Sequence, residues 1–184
     1  VHDEVTLEAW IKNWDHGVVA VQIPASFLRY GNRNFRLTER LKLTHSLVLG
    51  KFQYTGRPDW IHVARYEGKQ SRRVYVTGTL RLEGKFKRTY AEQAPLHIAG
   101  SAINAKQYQG TGLMRSFRVS TRDLYSEDFE PPQELEAGPD TFLIYDFTKD
   151  DLELNTKVID RSGNGNHGEL RDAWWIPSGT FTTK

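Results

Sequence analysis

Polar and apolar residues alternate one by one in many short stretches of this chain. In residues 5–12 every second side chain is apolar or small. One set is Val5, Leu7, Ala9 and Ile11, and the other is Thr6, Glu8, Trp10 and Lys12. Because neighbouring side chains of a β-strand point to opposite faces, this spacing predicts a strand with the first set in the core and the second on the non-core side.

Similar stretches predict further strands along the sequence. Their ranges are 18–23, 43–54, 60–66, 73–77, 96–99, 113–119, 142–147 and 174–176, with turns over 66–69 and 76–79. No segment shows a sustained 3.6-residue apolar repeat, so the sequence predicts an all-β protein. Two packed antiparallel sheets are the expected architecture, since a single sheet would leave its apolar face in water.

Composition limits the domain organisation and the classes of partner. The chain has 184 residues, 38% of them hydrophobic, which is typical of one domain. With 25 basic and 23 acidic residues interspersed, no nucleic-acid partner is expected. The mean hydropathy of −0.60 and the short apolar runs predict no membrane span. The chain lacks cysteine, which excludes disulfides and thiolate sites. Because it begins at Val1, we expect it to have been processed, trimmed or taken from a longer protein.

Four groups of residues share the motifs of one known family. They are the strand at 5–12, the pair 60–66 and 74–78, the series 95–100, 108–110 and 117–124, and the pair 145–147 and 160–168. In these stretches the chain resembles the laminin-G-like family, whose fold is the concanavalin A-like jelly roll. The resemblance implies a two-sheet antiparallel jelly-roll sandwich. It also implies a non-catalytic adhesion, docking or recognition module of a larger extracellular or periplasmic protein.

The order of these motifs differs from that of the family. The stretch that resembles the family's opening lies after its ending, beyond a Pro- and Glu-rich seam at 131–140. Residues 1–130 are then the body of the sandwich. Residues 141–184 either complete it, as in a circular permutation, or begin a tandem copy. We favour completion, because a lone strand with open edges is a hazard for unwanted pairing.

The resemblance also makes a glycoside hydrolase an alternative to be examined. Such enzymes need two carboxyl groups facing a groove, and one strand can supply them as Glu-x-Asp-x-Glu. That pattern is absent from the sequence. The acidic clusters 127–130 and 150–153 lie in predicted turn or linker regions, and the resemblance implies structural roles for His62 and His97. We therefore expect no catalytic residues and no enzyme activity.

One polar loop is a candidate calcium site. Residues 160–168 alternate oxygen-bearing side chains with glycines, and calcium takes six to eight oxygen ligands. Asp160, Asn164 and Asn166 are the candidate ligands. In the alternative interpretation, which we favour, the Asp and Asn side chains bond to the backbone of their own loop.

Tryptophan side chains are the candidates for ligand contact. Adjacent residues of a strand point to opposite faces, so one of Trp174 and Trp175 is expected at the surface. Trp10 and Trp14 fall on the face of Glu8 and Lys12, which is predicted to be the non-core side. For each tryptophan the alternative is a place in the core. These residues make a carbohydrate-binding module the second functional hypothesis, so the expected partner is a glycan, a protein, or a neighbouring domain or subunit.

Overall fold

A computed structural model describes residues 3–12, 20–23, 33–36, 60–85, 96–98, 113–149 and 156–171. Eleven strands and no helix lie within these residues, which confirms an all-β architecture for them. The strands are β1 (Val5–Lys12), β2 (Ala20–Ile23), β3 (Arg33–Arg36), β4 (Ile61–Glu67), β5 (Ser71–Val76), β6 (Thr79–Lys85), β7 (His97–Ile98), β8 (Leu113–Ser120), β9 (Thr141–Asp146), β10 (Lys157–Val158) and β11 (Gly168–Glu169). No part of the described chain forms a helix with the length and hydropathy needed to cross a membrane. The strands predicted over 43–54 and 174–176 lie outside the described residues.

The main sheet has six antiparallel strands in the order β6-β5-β4-β1-β8-β9. β1 is a central strand and pairs with β4 on one side and β8 on the other. β9 forms one edge, where Tyr145 lies opposite Phe117 and Leu143 lies opposite Val119. The strand predicted over 142–147 is therefore present as β9, at residues Thr141–Asp146, and it pairs with β8.

β5 and β6 form a tight hairpin at the other edge of the main sheet. The turn between them consists of Thr77 and Gly78, both with positive φ, at 51° and 75°. Two consecutive residues of this kind form the type I′ turn whose twist matches that of paired strands. A Cβ on Gly78 would lie 1.8 Å from the backbone oxygen of Phe129, so only glycine fits there.

The core lies on one face of the main sheet. The first set of β1 residues is 0–2% exposed, which confirms the predicted core face. Its companions in the core are Val63, Val76, Phe117, Val119, Leu143, Tyr145 and Val158. Leu96 and Ile98 pack against this cluster, and Ile98 belongs to β7 in a second sheet of order β3-β2-β7. The described residues thus form a sandwich-like arrangement, with a further small sheet of β10 and β11.

Residues 121–140, which we call the strap, cross the opposite face of the main sheet between β8 and β9. The strap closes on itself where Thr121 N donates to Asp140 O at 2.9 Å. It contains no regular strand or helix and includes the predicted seam at 131–140. Because the strap covers this face, Thr6 and Glu8 are 1% and 0% exposed although they point away from the core.

Candidate functional site

The loop predicted as a calcium site is built around the carboxylate of Asp160. Its Oδ1 accepts hydrogen bonds from the backbone N–H groups of Ile144 at 3.1 Å and Ser162 at 2.9 Å. Its Oδ2 accepts from the Ser162 hydroxyl at 2.8 Å and from Asn166 N at 2.9 Å. Burial raises the pKa of Asp160, but the N–H donors of Ser162 and Ile144 outweigh it, so the pKa is lowered from its ordinary value.

The same loop covers the outer edge of β9. Ile144 uses both backbone groups in this contact, since its N–H bonds Asp160 and its carbonyl accepts from Arg161 N at 2.9 Å. The carbonyl of Phe142 accepts from the amide nitrogens of Asn164 at 3.0 Å and Asn166 at 2.9 Å. An edge strand with unpaired backbone groups invites pairing with other chains. The loop removes that opportunity by satisfying these groups.

The three candidate calcium ligands all take part in hydrogen bonds within the protein. Asp160 accepts from backbone groups of its own loop, as the alternative interpretation expects, whereas the side chains of Asn164 and Asn166 donate to the carbonyls of Thr141 and Phe142 in β9. Within the described residues, no group of three or more His, Asp or Glu side chains is placed to hold a metal ion. Calcium binding at this loop stays a prediction.

Nearby, Tyr145 ties the loop to the core through its hydroxyl, which donates to Asn166 O at 2.7 Å. Burial, with a smaller contribution from the charge of Asp160, raises the pKa of Tyr145 to about 12. Asp160 N donates to Nδ1 of His167 at 3.1 Å. These bonds fix the loop from both ends.

Of the four candidate tryptophans, only Trp10 lies within the described residues; Trp14, Trp174 and Trp175 lie outside them. Trp10 is on the predicted non-core face, but the strap makes it half-buried. Its indole N–H donates to Pro132 O at 3.1 Å, and its ring meets the edge of His62 with 5.2 Å between ring centroids. Trp10 thus helps to hold the strap.

A second tryptophan, Trp60, lies near Trp10 with an arginine between them. The guanidinium carbon of Arg115 lies over the Trp10 ring, 4.8 Å from its centroid, and over the Trp60 ring at 5.6 Å. All three side chains are half-buried. Arg115 Nη2 also donates to the strap carbonyl of Gln133 at 2.6 Å. This cluster of Trp10, Trp60 and Arg115, called the tryptophan–arginine cluster below, joins β1, β4 and β8 at one end of the main sheet.

Under the strap lies a buried polar network centred on Glu8. Its Oε2 accepts from His62 Nε2 at 3.0 Å and from the Tyr125 hydroxyl at 2.8 Å. Its Oε1 accepts from Arg118 Nε at 2.7 Å and is also 2.6 Å from Nη2 of the same guanidinium. The side chains of Glu8 and His62 are 0% exposed and that of Arg118 is 14% exposed.

The network shifts the pKa values of its members in opposite directions. Burial raises the pKa of Glu8, but the hydrogen bond from His62 and the charge of Arg118 overcome it, so the pKa is lowered. Burial and the neighbouring Glu8 charge raise the pKa of Tyr125. Glu8 is therefore held as a carboxylate that accepts hydrogen bonds from a neutral tyrosine. It serves as a fixed acceptor for three side chains.

Aromatic rings surround the network and complete its enclosure. Tyr125 and Phe129 of the strap stack with 3.6 Å between centroids, and Tyr75 of β5 meets both at an angle. The Tyr75 hydroxyl donates to Tyr125 O at 2.6 Å. His62 Nδ1 is buried without a hydrogen-bond partner among the described groups. These contacts exclude solvent from the centre of the face.

Sequence analysis did not identify this network. The available signal was the position of Glu8, His62 and Arg118, one on each of three predicted strands. Their adjacency depends on the order β4-β1-β8, and Tyr125 reaches Glu8 across 117 positions of sequence. Strand pattern alone gives neither the strand order nor the path of the strap.

No protein-family model matches the chain, and no curated protein matches it either. The laminin-G-like resemblance therefore rests on the residues quoted above.

Proposed function

We propose that this chain is a non-catalytic adhesion or docking module of a larger extracellular or periplasmic protein, with a laminin-G-like jelly-roll fold. The observation that carries this proposal is the enclosure of Glu8. A catalytic carboxyl of a glycoside hydrolase must face the sugar substrate, and Glu8 is a carboxyl group on a central strand of the main sheet. Here that position accepts hydrogen bonds from three side chains and is 0% exposed.

The contacts of Glu8 and Asp160 support a structural role for these two carboxylates. A general acid must reach a substrate atom within hydrogen-bond distance, directly or through one water. Glu8 faces the underside of the strap, and Asp160 faces the edge of β9. Both carboxylates hold chain segments in place, which is the arrangement expected of a rigid scaffold that binds through its surface.

Two measurements, a turnover assay and a glycan array, distinguish a binding module from an enzyme. We expect no turnover of common β-glucans, xylans or chitin by the purified chain. Sugar release that disappears when a single carboxylate is changed to its amide would refute the proposal. A glycan array measured on the same preparation tests the carbohydrate-binding hypothesis. Specific, saturable glycan binding without turnover would replace docking to protein by docking to glycan.

A further inference from the structure

The tryptophan–arginine cluster originates in a β-bulge. In the pairing of β1 with β8, Trp10 lies opposite Ser116 and Ile11 lies opposite Met114, so Arg115 is an extra residue on β8. A bulge bends its strand and redirects a side chain, and bulges are enriched beside functional sites. In a strand without the extra residue, side chains would alternate regularly between the two faces. The bulge breaks this alternation at Arg115.

The guanidinium of Arg115 contacts two indole rings and uses only some of its hydrogen-bond donors. Arg115 lies over the faces of both indoles, which is the favoured geometry for a cation and an aromatic ring. Arginine carries five N–H donors in a fixed fork. Within the described part of the chain, the guanidinium donates one hydrogen bond, to Gln133 O. The cluster is thus a positive group with its orientation set before any ligand arrives.

The orientation of the rings selects the kind of ligand. A sugar stacks on the face of an aromatic ring, and the guanidinium of Arg115 already occupies one face of each indole. What the cluster presents is a positive guanidinium bordered by apolar rings. This chemistry fits a carboxylate, which arginine binds through two parallel hydrogen bonds. Trp and Arg are also the residues most enriched where protein partners bind most strongly.

We propose that Arg115, Trp60 and Trp10 form a docking site for an aspartate or glutamate side chain in a peptide segment of a partner protein. The carboxylate pairs with the Arg115 fork, and apolar neighbours in the peptide contact the indole edges. This inference rests on the proposed docking function and assigns it a place and a partner chemistry. The charge complementarity between Arg115 and the acidic side chain is the main selective contact.

The test uses the whole chain as bait for a displayed library of short random peptides. Each selected peptide is compared with its amide form, in which Glu becomes Gln or Asp becomes Asn, by fluorescence anisotropy. With the wild-type chain we expect the amide form to bind about tenfold or more weakly. With Arg115→Lys the difference should shrink below about threefold, because lysine keeps the charge and can reach Gln133 O but lacks the planar fork.

A second variant protects the test against a folding defect. Trp60→Leu keeps Arg115 and its bond to the strap but removes one ring that orients the guanidinium, so it should also weaken the acid-dependent binding. Melting temperatures of both variants should match the wild type within a few degrees.

Several outcomes overturn the proposal. These are a selection that yields no binder, peptides that bind without an acidic residue, and an acid preference that survives in Arg115→Lys. Acidic saccharides that compete for Arg115 and outperform every peptide would overturn it as well. Peptide binding that both variants leave intact would move the site elsewhere while the docking function stands. Turnover of a glycan would instead remove the docking function.

Discussion

At the residue scale, two buried carboxylates organise the described part of the molecule. Glu8 lies under the strap with Arg118, His62 and Tyr125 bonded to it, and Asp160 accepts four hydrogen bonds in the loop beside β9. A buried charge is costly unless partners replace its lost water. The partners of Glu8 lie 54 to 117 positions away in the sequence, whereas Asp160 bonds Ser162 and Asn166 of its own loop and Ile144 of β9. Each carboxylate thus links segments that local structure alone would not join.

Removing the charge of Glu8 should be strongly destabilising. In Glu8→Gln the amide has one acceptor oxygen where the carboxylate has two, and the Arg118 charge loses its counterion. Breaking such a pair on one side costs about 3 kcal/mol of unfolding free energy. Urea denaturation followed by tryptophan fluorescence measures the loss.

The matched control for this experiment is Glu134→Gln. Glu134 of the strap pairs with Lys149, but the Glu134 side chain is 67% exposed. Solvent therefore screens the pair, and we expect little change in the free energy of unfolding. Equal effects of the two substitutions would contradict the structural role of Glu8.

Asp160→Asn tests the two interpretations of the polar loop. The carboxylate of Asp160 accepts hydrogen bonds from four donors, and an amide would place its own N–H groups against some of them. The substitution should therefore lower the free energy of unfolding by about 1–3 kcal/mol. If the carboxylate bonds only backbone and Ser162, this loss is the same with and without calcium. Thermal melts in millimolar calcium and in chelator provide the comparison, and Glu169→Gln at an exposed surface pair is the control with little expected change.

A different outcome would support calcium binding at this loop. A wild-type melting temperature that rises with calcium, together with an Asp160→Asn variant that does not respond, would establish the metal site. The calcium-free variant would then be nearly as stable as the wild type.

At the element scale, the strands with a buried, regularly alternating face could be predicted. β1 is the clearest example, because its apolar residues at every second position all enter the core. In β8 only Phe117 and Val119 do so, because the bulge at Arg115 interrupts the alternation. β6 was missed: it is an edge strand, half-exposed along its length and interrupted by Gly84, so its alternation is weak. β10 and β11 have two residues each, too few to show any period. The burial of Glu8 depends on the strap, whose path no local pattern encodes.

Truncation after Gly138 should damage the main sheet. The shortened chain loses β9 and the loop that covers its edge, which exposes the edge of β8 and removes Leu143 and Tyr145 from the core. Each buried side chain of this size contributes about 1.5–3 kcal/mol, and an open edge promotes aggregation. We expect a lower melting temperature and higher-order species in size-exclusion chromatography.

An unchanged melting temperature would favour the tandem interpretation, in which residues after 140 begin a second copy. A chain that ends after Phe147 provides the intermediate case. It keeps β9 but lacks the covering loop, so it should recover core stability and still aggregate through the β9 edge.

At the scale of the whole molecule, the main sheet is covered on both faces by different means. The core face packs against Leu96 and Ile98, while the other face is covered by the strap. The first contact is apolar and insensitive to pH. The second depends on ionised groups, namely Glu8 with Arg118 beneath the strap, and the Arg122–Asp140 pair near its ends. The two faces should therefore respond differently to acid.

The free energy of unfolding should fall at low pH. The direction of this pH dependence follows from the lowered pKa values of the carboxyl groups. Folding lowers the pKa of Glu8 below its ordinary value of 4.5 and that of Asp160 below 3.8. It also lowers the pKa of Asp146 below 3.8, because hydrogen bonds from Lys149 and Thr148 outweigh the effect of burial. A carboxyl with a lowered pKa binds protons more readily in the unfolded chain, so its stabilising contribution is complete above the ordinary pKa and is lost as pH falls through the folded value. Urea denaturation between pH 7 and pH 2 should show a nearly constant unfolding free energy down to about pH 5 and a steady decline below it. Glu8→Gln removes one of the three groups and should flatten this decline, whereas Glu134→Gln should leave it unchanged. A wild-type stability that is independent of pH down to pH 2, or that rises on acidification, would contradict the assignment of Glu8 and Asp160 as the groups that hold the strap and the loop in place.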